Sequence, residues 1–175
     1  MQKITLDLTI NSKNQRLILD LRAGETLPHL AMKILAYILY HDRRPQVEGS
    51  AGQHFKPDLF CREGADVTLW VDVGDTTMHK LDKISIKNKR AEIVIIKSNE
   101  AALVAYKRTA DRRIKYPERV RYLTFSEFLV DRMAARLDTR NRIEVDMDTT
   151  RRALHLMVNG FELNGRVVEV TGDTP

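Results

Sequence analysis

Cysteine occurs once, at Cys61, so no internal disulfide can staple this chain, and its thiol reads as a packed strand residue suited to a reducing compartment. The longest purely apolar run, Ile34 to Tyr40, falls far short of the roughly 20 residues that span a bilayer. Glycine and proline are sparse, at 8 and 5, and 43% of residues are hydrophobic against 30% charged. Those proportions exclude collagen-like, low-complexity and disordered chains. Also missing are a glycine-rich phosphate loop, a Gly-x-Ser-x-Gly elbow, paired cysteines and a close histidine pair for zinc. Histidines 29, 41, 54, 79 and 155 are scattered singly. The opening residues MQKITLDLTI alternate and carry Asp7, unlike a secretory signal, so the expected location is cytoplasmic. With 175 residues, the expectation is one domain over 1–175.

What is present is unevenly charged. The chain carries 29 Lys and Arg against 24 Asp and Glu, for a net +5. Residues 80–121 hold 13 basic and 5 acidic groups, so this middle segment alone reaches +8. Such a segment reads either as a solvated pair of helices or as one face that collects a polyanion, because lysine and arginine release condensed counterions on meeting phosphates.

The hydropathy pattern predicts an α+β fold with a mixed sheet. Residues 4–10 alternate strictly, and so do residues 16–22 after the polar NSKNQ, which predicts an N-terminal antiparallel hairpin. From Glu25 to Tyr40 the apolar positions Leu27, Leu30, Ile34 and Ile38 recur at helical spacing. Residues 42–57 lack periodicity and read as a functional or mobile loop. Two strands near 58–62 and 67–73 flank the turn Glu63-Gly64-Ala65-Asp66, and a helix over 76–88 follows, capped by Thr76 or Thr77. EIVIIK at 92–97 reads as a central strand covered on both faces, so strand, helix and strand form a right-handed parallel crossover. A helix over 99–109 behind Asn99, a strand over 119–125 and a helix from Ser126 to Leu137 come next. A C-terminal antiparallel meander over 142–170 is expected to break at Thr149-Thr150, Asn159-Gly160 and Asn164-Gly165.

Two acidic groupings bear on chemistry. Glu144, Asp146 and Asp148 share one strand face, suited to a hard cation or simply to the wet side of a sheet. In the second, a hairpin brings Asp58, at the start of one strand, toward Asp72 near the end of the next, where two carboxylates can share a magnesium ion. The following helix carries Lys80, Lys83 and Lys87 along one edge, a position from which a lysine stabilises developing phosphorane charge or positions a water. The same residues also read as a surface helix with a basic edge, and Asp72 as a carboxylate meeting that helix's N-terminal dipole.

The sequence resembles the YaeQ family of small bacterial proteins of uncharacterised function. The resemblance rests on Glu25-Thr26, Lys33, Leu35-Ala36-Tyr37, Pro57-Asp58-Leu59-Phe60, Leu69-Trp70-Val71-Asp72-Val73-Gly74, and the spacing of Lys80 and Lys83, over roughly residues 25–96. It implies a variant of the PD-(D/E)xK restriction-endonuclease-like core, in which Glu25, Asp58 and Asp72 surround Mg²⁺ or Mn²⁺. The superfamily's usual strand lysine falls on Gly74, leaving Lys83 as first candidate to orient the nucleophile and Lys80 as second. Asp72 stands where the family more often has glutamate, and Phe60 where tryptophan is common. Two functions are implied. One is a metal-dependent nuclease or phosphodiesterase acting on nucleic acid; the other is a catalytically inactive module contacting nucleic acid or a transcription-related protein. In either case Lys87, Lys107, Arg108, Arg112 and Arg113 are the expected phosphate contacts.

Overall fold

The computed structural model describes residues 1–148, 150 and 152–172. Its strands are β1 (Gln2–Ile10), β2 (Lys13–Leu21), β3 (Gln46–Val47), β4 (Leu59–Glu63), β5 (Asp66–Val73), β6 (Glu92–Ile96), β7 (Val120–Phe125), β8 (Arg140–Met147), β9 (Ala153–Val158) and β10 (Phe161–Val170). The helices are α1 (Leu27–Tyr40), α2 (Met78–Lys87), α3 (Glu100–Arg113) and α4 (Leu129–Ala134). Among the described residues the strands form one mixed sheet in the order β2-β1-β8-β9-β10-β7-β6-β5-β4-β3. No helix among them is long and apolar enough to cross a membrane.

The hairpin turns more tightly than its polar sequence suggests. Asn11 and Ser12 both adopt positive φ, 45° and 66°, so two residues make the turn and Ile10 pairs with Lys13. A primed turn of this kind matches the right-handed twist of its strands. The second strand therefore begins at Lys13, not Arg16.

α1 lies inside the sheet. Its Leu30, Ile34, Leu35 and Ile38 share one buried core with Leu6 and Leu8 of β1, Ile143 and Val145 of β8, Leu156 of β9, Val71 and Val73 of β5, and Leu123 of β7. One helix can touch strands from both ends of a ten-stranded sheet only if the sheet curls around it. The curl nearly closes a barrel: the Asp20 N–H on edge strand β2 donates 3.3 Å to Glu48 Oε2, just beyond the opposite edge strand β3. Residues 42–57 thus supply an edge strand and the closing contact.

α2 and α3 cover the outer face. Leu81 and Ile84 of α2 and Leu103 and Ala110 of α3 pack with Trp70, Ile93, Ile95 and Tyr122 in a second core. β6 is covered on both faces as its β-branched sequence predicts, with Val94 and Ile96 inward and Ile93 and Ile95 outward. Strands β5, β6 and β7 are parallel, joined by crossovers through α2 and α3.

The C-terminal meander forms as β8, β9 and β10. The expected break at 149–150 falls between β8 and β9, with Thr149 itself outside the described residues. Asn159-Gly160 is the turn between β9 and β10. Asn164-Gly165 is no break but lies within β10, next to the point where that strand leaves β9 and pairs with β7. A Cβ on Gly165 would meet Leu129 Cδ2 at 2.9 Å and Ser126 O at 3.3 Å, so the glycine marks close approach, not a turn. Ser126 does not cap a helix either, because its Oγ accepts the Arg166 N–H at 2.8 Å, and α4 spans only Leu129–Ala134. Gly165→Ala is expected to destabilise the protein by about 1–3 kcal/mol in urea unfolding, the usual consequence of overpacking; an unchanged midpoint would refute the close-approach assignment.

Candidate functional site

Thr26 caps α1, its Oγ1 accepting the His29 N–H at 3.3 Å, and this places Glu25 just outside the helix. From there Glu25 Oε1 faces Lys33 Nζ at 2.6 Å, and the same ammonium meets Glu48 Oε1 at 2.7 Å. Lys33 is 3% exposed. Burial works against charge on both Glu25 and Lys33. The hydrogen bonds nevertheless prevail: the Lys33 ammonium and the Arg22 N–H hold the Glu25 carboxyl below its ordinary value, and the two glutamates hold Lys33 above its own.

Asp58 sits beside this group. Its Oδ2 accepts the Val73 N–H at 2.9 Å, and its Oδ1 lies 3.5 Å from His29 Nε2, which is also 3.3 Å from Glu25 Oε1. Burial pushes Asp58 up, but His29 and the Val73 N–H bring it net below the ordinary range. His29 comes this close because residue 74 is glycine, where a Cβ would meet His29 Nδ1 at 2.8 Å and φ is +71°.

Asp72 faces the other way. It alternates with the inward Val71 and Val73, and so points to the outer layer, where it is 1% exposed. Lys80 Nζ stands 2.9 Å from its Oδ2 and also donates to Lys56 O at 2.9 Å, while among the described residues no well-directed hydrogen bond reaches either carboxylate oxygen. Burial outweighs Lys80 and raises the Asp72 carboxyl above its usual value.

The lysine ranked second from sequence is therefore the one at the carboxylate. α2 starts at Met78, so Lys80 sits in its first turn beside the end of β5, whereas Lys83 lies about one turn of 5.4 Å further away and is exposed. Nor do Glu25, Asp58 and Asp72 form one ligand set. Glu25 and Asp58 turn toward α1, Asp72 turns toward α2, and among the described residues no three His, Cys, Asp or Glu side chains converge as a metal site. The residues as arranged do not fit a divalent cation, since Lys33 and Lys80 occupy the positions of positive charge. The acidic face of β8 is likewise the wet side of the sheet, with Glu144 3.2 Å from Arg142.

Of the expected phosphate contacts, Lys87, Arg108, Arg112 and Arg113 are exposed. Lys107 is not. It is 8% exposed and donates 2.7 Å bonds to Asp111 Oδ2 and Gly172 O, because the stripe of α3 that meets the sheet includes its stem.

His29, Lys33 and Glu48 are the site residues that sequence reasoning assigned no role. A signal existed for two of them: a lysine between Met32 and Ile34 in a helix apolar all round needs a buried acid, and His29 stands four residues after Glu25. Glu48 carried none, since it lies in an aperiodic stretch.

The profile of the YaeQ protein family matches residues 10–163. This chain belongs to the YaeQ family. The crystal structure of the YaeQ protein from Xanthomonas axonopodis pv. citri superposes with a TM-score of 0.79 at 18% identity, covering 99% of both chains. That of the YaeQ protein from Pseudomonas syringae gives 0.72 at 14% identity, covering 99% of this chain and 97% of the other. At these identities the likeness concerns the fold, and the curled mixed sheet with four helices is thus a YaeQ architecture. No curated protein matches the sequence.

Two outcomes follow for this YaeQ-family chain. Lys33→Met leaves Glu25 and Glu48 without their cation and is expected to lower unfolding free energy by about 3–5 kcal/mol at pH 7. Because the folded Glu25 value is depressed, the stability from its ion pair is present at neutral pH and lost as pH falls through that value, so the deficit of the variant should narrow below about pH 4. Asp72→Asn should act oppositely. The raised Asp72 value means that its charged form destabilises the fold above that value, so the variant should gain a few degrees in Tm at pH 7, roughly 2–4 °C per kcal/mol. That gain should vanish on acidification toward about pH 4. Melts of both variants across pH check the signs, and a destabilised Asp72→Asn protein at pH 7 would contradict the burial argument.

Proposed function

We propose that this chain is a nucleic-acid-binding module on a PD-(D/E)xK-like layout, one that does not run metal-dependent phosphodiester cleavage. The observation that carries the reading is the distribution of unpaired charge on the outer layer. Lys83 and Lys87 of α2, Lys89 just beyond it, and Arg108, Arg112 and Arg113 of α3 are exposed, and none has an ion-pair partner among the described residues. Three of the five acids in the same segment are engaged elsewhere: Asp82 accepts the Lys115 N–H, Glu92 pairs with Arg43 and Arg121, and Asp111 pairs with Lys107. The +8 segment therefore presents cations on the two helices that cover one face of β5, β6 and β7. Arginine and lysine on such a surface position a phosphate backbone without reading bases.

Support for the non-catalytic half comes from the acids. Each already has an internal cation or donor: Lys33 for Glu25, His29 and the Val73 N–H for Asp58, Lys80 for Asp72. One observation favours the rival nuclease reading, namely that Asp72 is buried without a directed hydrogen bond and has a lysine beside it.

Fluorescence anisotropy with labelled single- and double-stranded oligonucleotides tests the proposal. Binding should fall steeply with salt, with a log–log slope of about −4 to −5 if five or six phosphates are contacted, and should be indifferent to EDTA. Joint reversal of Lys87, Arg108, Arg112 and Arg113 to glutamate should weaken it at least about tenfold. Unchanged binding in that variant would overturn the reading. Saturable uptake of Mg²⁺ or Mn²⁺ by calorimetry that disappears in Asp72→Asn would reinstate the nuclease.

A further inference from the structure

A groove of about 590 Å³ opens where β5 and β6 end, between the N-terminus of α1 and the near side of α3. It lies outside the carboxyl ends of parallel strands, the crevice in which open α/β sheets hold ligands, and its volume falls in the range of small-molecule sites. It shares α3 with the outer cationic layer, but neither the exposed cations of that layer nor Lys33 lines it. Its floor is Lys97, the residue that follows β6.

Lys97 is 8% exposed, and no carboxylate lies within ion-pair distance of it among the described residues. Its ammonium donates to Gly74 O, and a second N–H direction is taken by the Tyr106 ring, whose centroid is 3.9 Å away. One donor remains. Burial lowers the Lys97 value, and Asp75 and Asp72 offset this from a distance. Two hydroxyls on the groove wall also keep unspent hydrogens. Among the described residues Thr26 Oγ1 only accepts, from the His29 N–H, and Ser98 Oγ only accepts, from the Asn99 side-chain amide. Asp75, exposed at the rim, is the acid in the lining. The remaining wall is apolar and small, with Pro28 and Met32 on one side and Ala102 and Ala105 on the other.

A buried ammonium without a counter-charge, flanked by two hydroxyl donors, calls for an anionic oxygen ligand. Three donors match the three terminal oxygens of a phosphate monoester better than the two of a carboxylate. The ester's organic group would then lie along the apolar wall. We propose that this groove is a binding site for a small phosphate monoester, with Lys97 as its charged anchor and Ser98 and Thr26 as hydroxyl donors.

Calorimetry with phenyl phosphate as probe, and with inorganic phosphate and benzoate at matched ionic strength, tests the site on the whole chain. Phenyl phosphate is expected to bind saturably, and about tenfold more tightly than benzoate. Lys97→Met should weaken it at least about tenfold. Ala102→Leu, which fills the groove without altering charge, should do the same, and decides the matter should the lysine variant fail to fold. Joint Arg108→Glu and Arg112→Glu should leave phenyl phosphate binding unchanged, so this site and the nucleic-acid face stand or fall separately. Absence of saturable binding, equal binding of benzoate, or unchanged affinity in the Ala102→Leu protein would overturn the proposal.

Discussion

Closure of the curled sheet depends on a buried ammonium. Lys33 projects from a helix otherwise committed to the core, and it holds Glu25, which follows one edge strand, and Glu48, which follows the other. Glu48 uses its second oxygen to accept the Asp20 N–H of the first edge strand. An open sheet leaves two edges with unpaired backbone groups, a liability that barrels remove by closure. Here the edges are joined by a side-chain clamp in place of a ladder. Burial makes each of these three charges unfavourable alone, so the arrangement is stable only when all are present.

The clamp also decides what the candidate site can be. By committing Glu25 to Lys33, it withdraws from Asp58 and Asp72 the carboxylate that a nuclease-like metal site would need. Gly74 then lets His29 pack against the strand end and satisfy Asp58 on the same side. Asp72, one residue before Val73 in a strand whose side chains alternate, points to the opposite face and meets Lys80. The two acids, adjacent across the hairpin, take different partners because Asp58 lies just before β4 and turns its carboxylate to the Val73 N–H and His29, while Asp72 meets Lys80.

Charge compensation inside leaves charge uncompensated outside. Three of the five acids of the basic segment, Asp82, Glu92 and Asp111, are held by partners within the protein, while Lys83, Lys87, Arg108, Arg112 and Arg113 of α2 and α3 remain in solvent. Lys97 is buried like Lys33 and Lys107, but among the described residues no acid lies against it. Of the three lysines buried among the described residues, Lys33 and Lys97 have opposite consequences: the first, clamped between glutamates, holds the fold together, and the second, facing a groove, keeps a donor with no carboxylate on it.

Local pattern and composition were enough to determine the hairpin, α1, the parallel crossover through α2, the two-faced burial of β6 and the basic excess of residues 80–121. These depend on periods of 2 and 3.6 residues and on charge counts, all of which are properties of contiguous sequence. The YaeQ resemblance was likewise carried by short contiguous motifs. Tertiary structure alone decided which lysine meets Asp72, that Glu25 belongs to Lys33 and not to a metal, that Lys107 is buried, and that Gly165 is a packing glycine within a strand. Each of these depends on a distance between elements far apart in the chain, such as Lys33 to Glu48 across the seam. Such distances are set by how far the sheet curls around α1, and no local period encodes that curl.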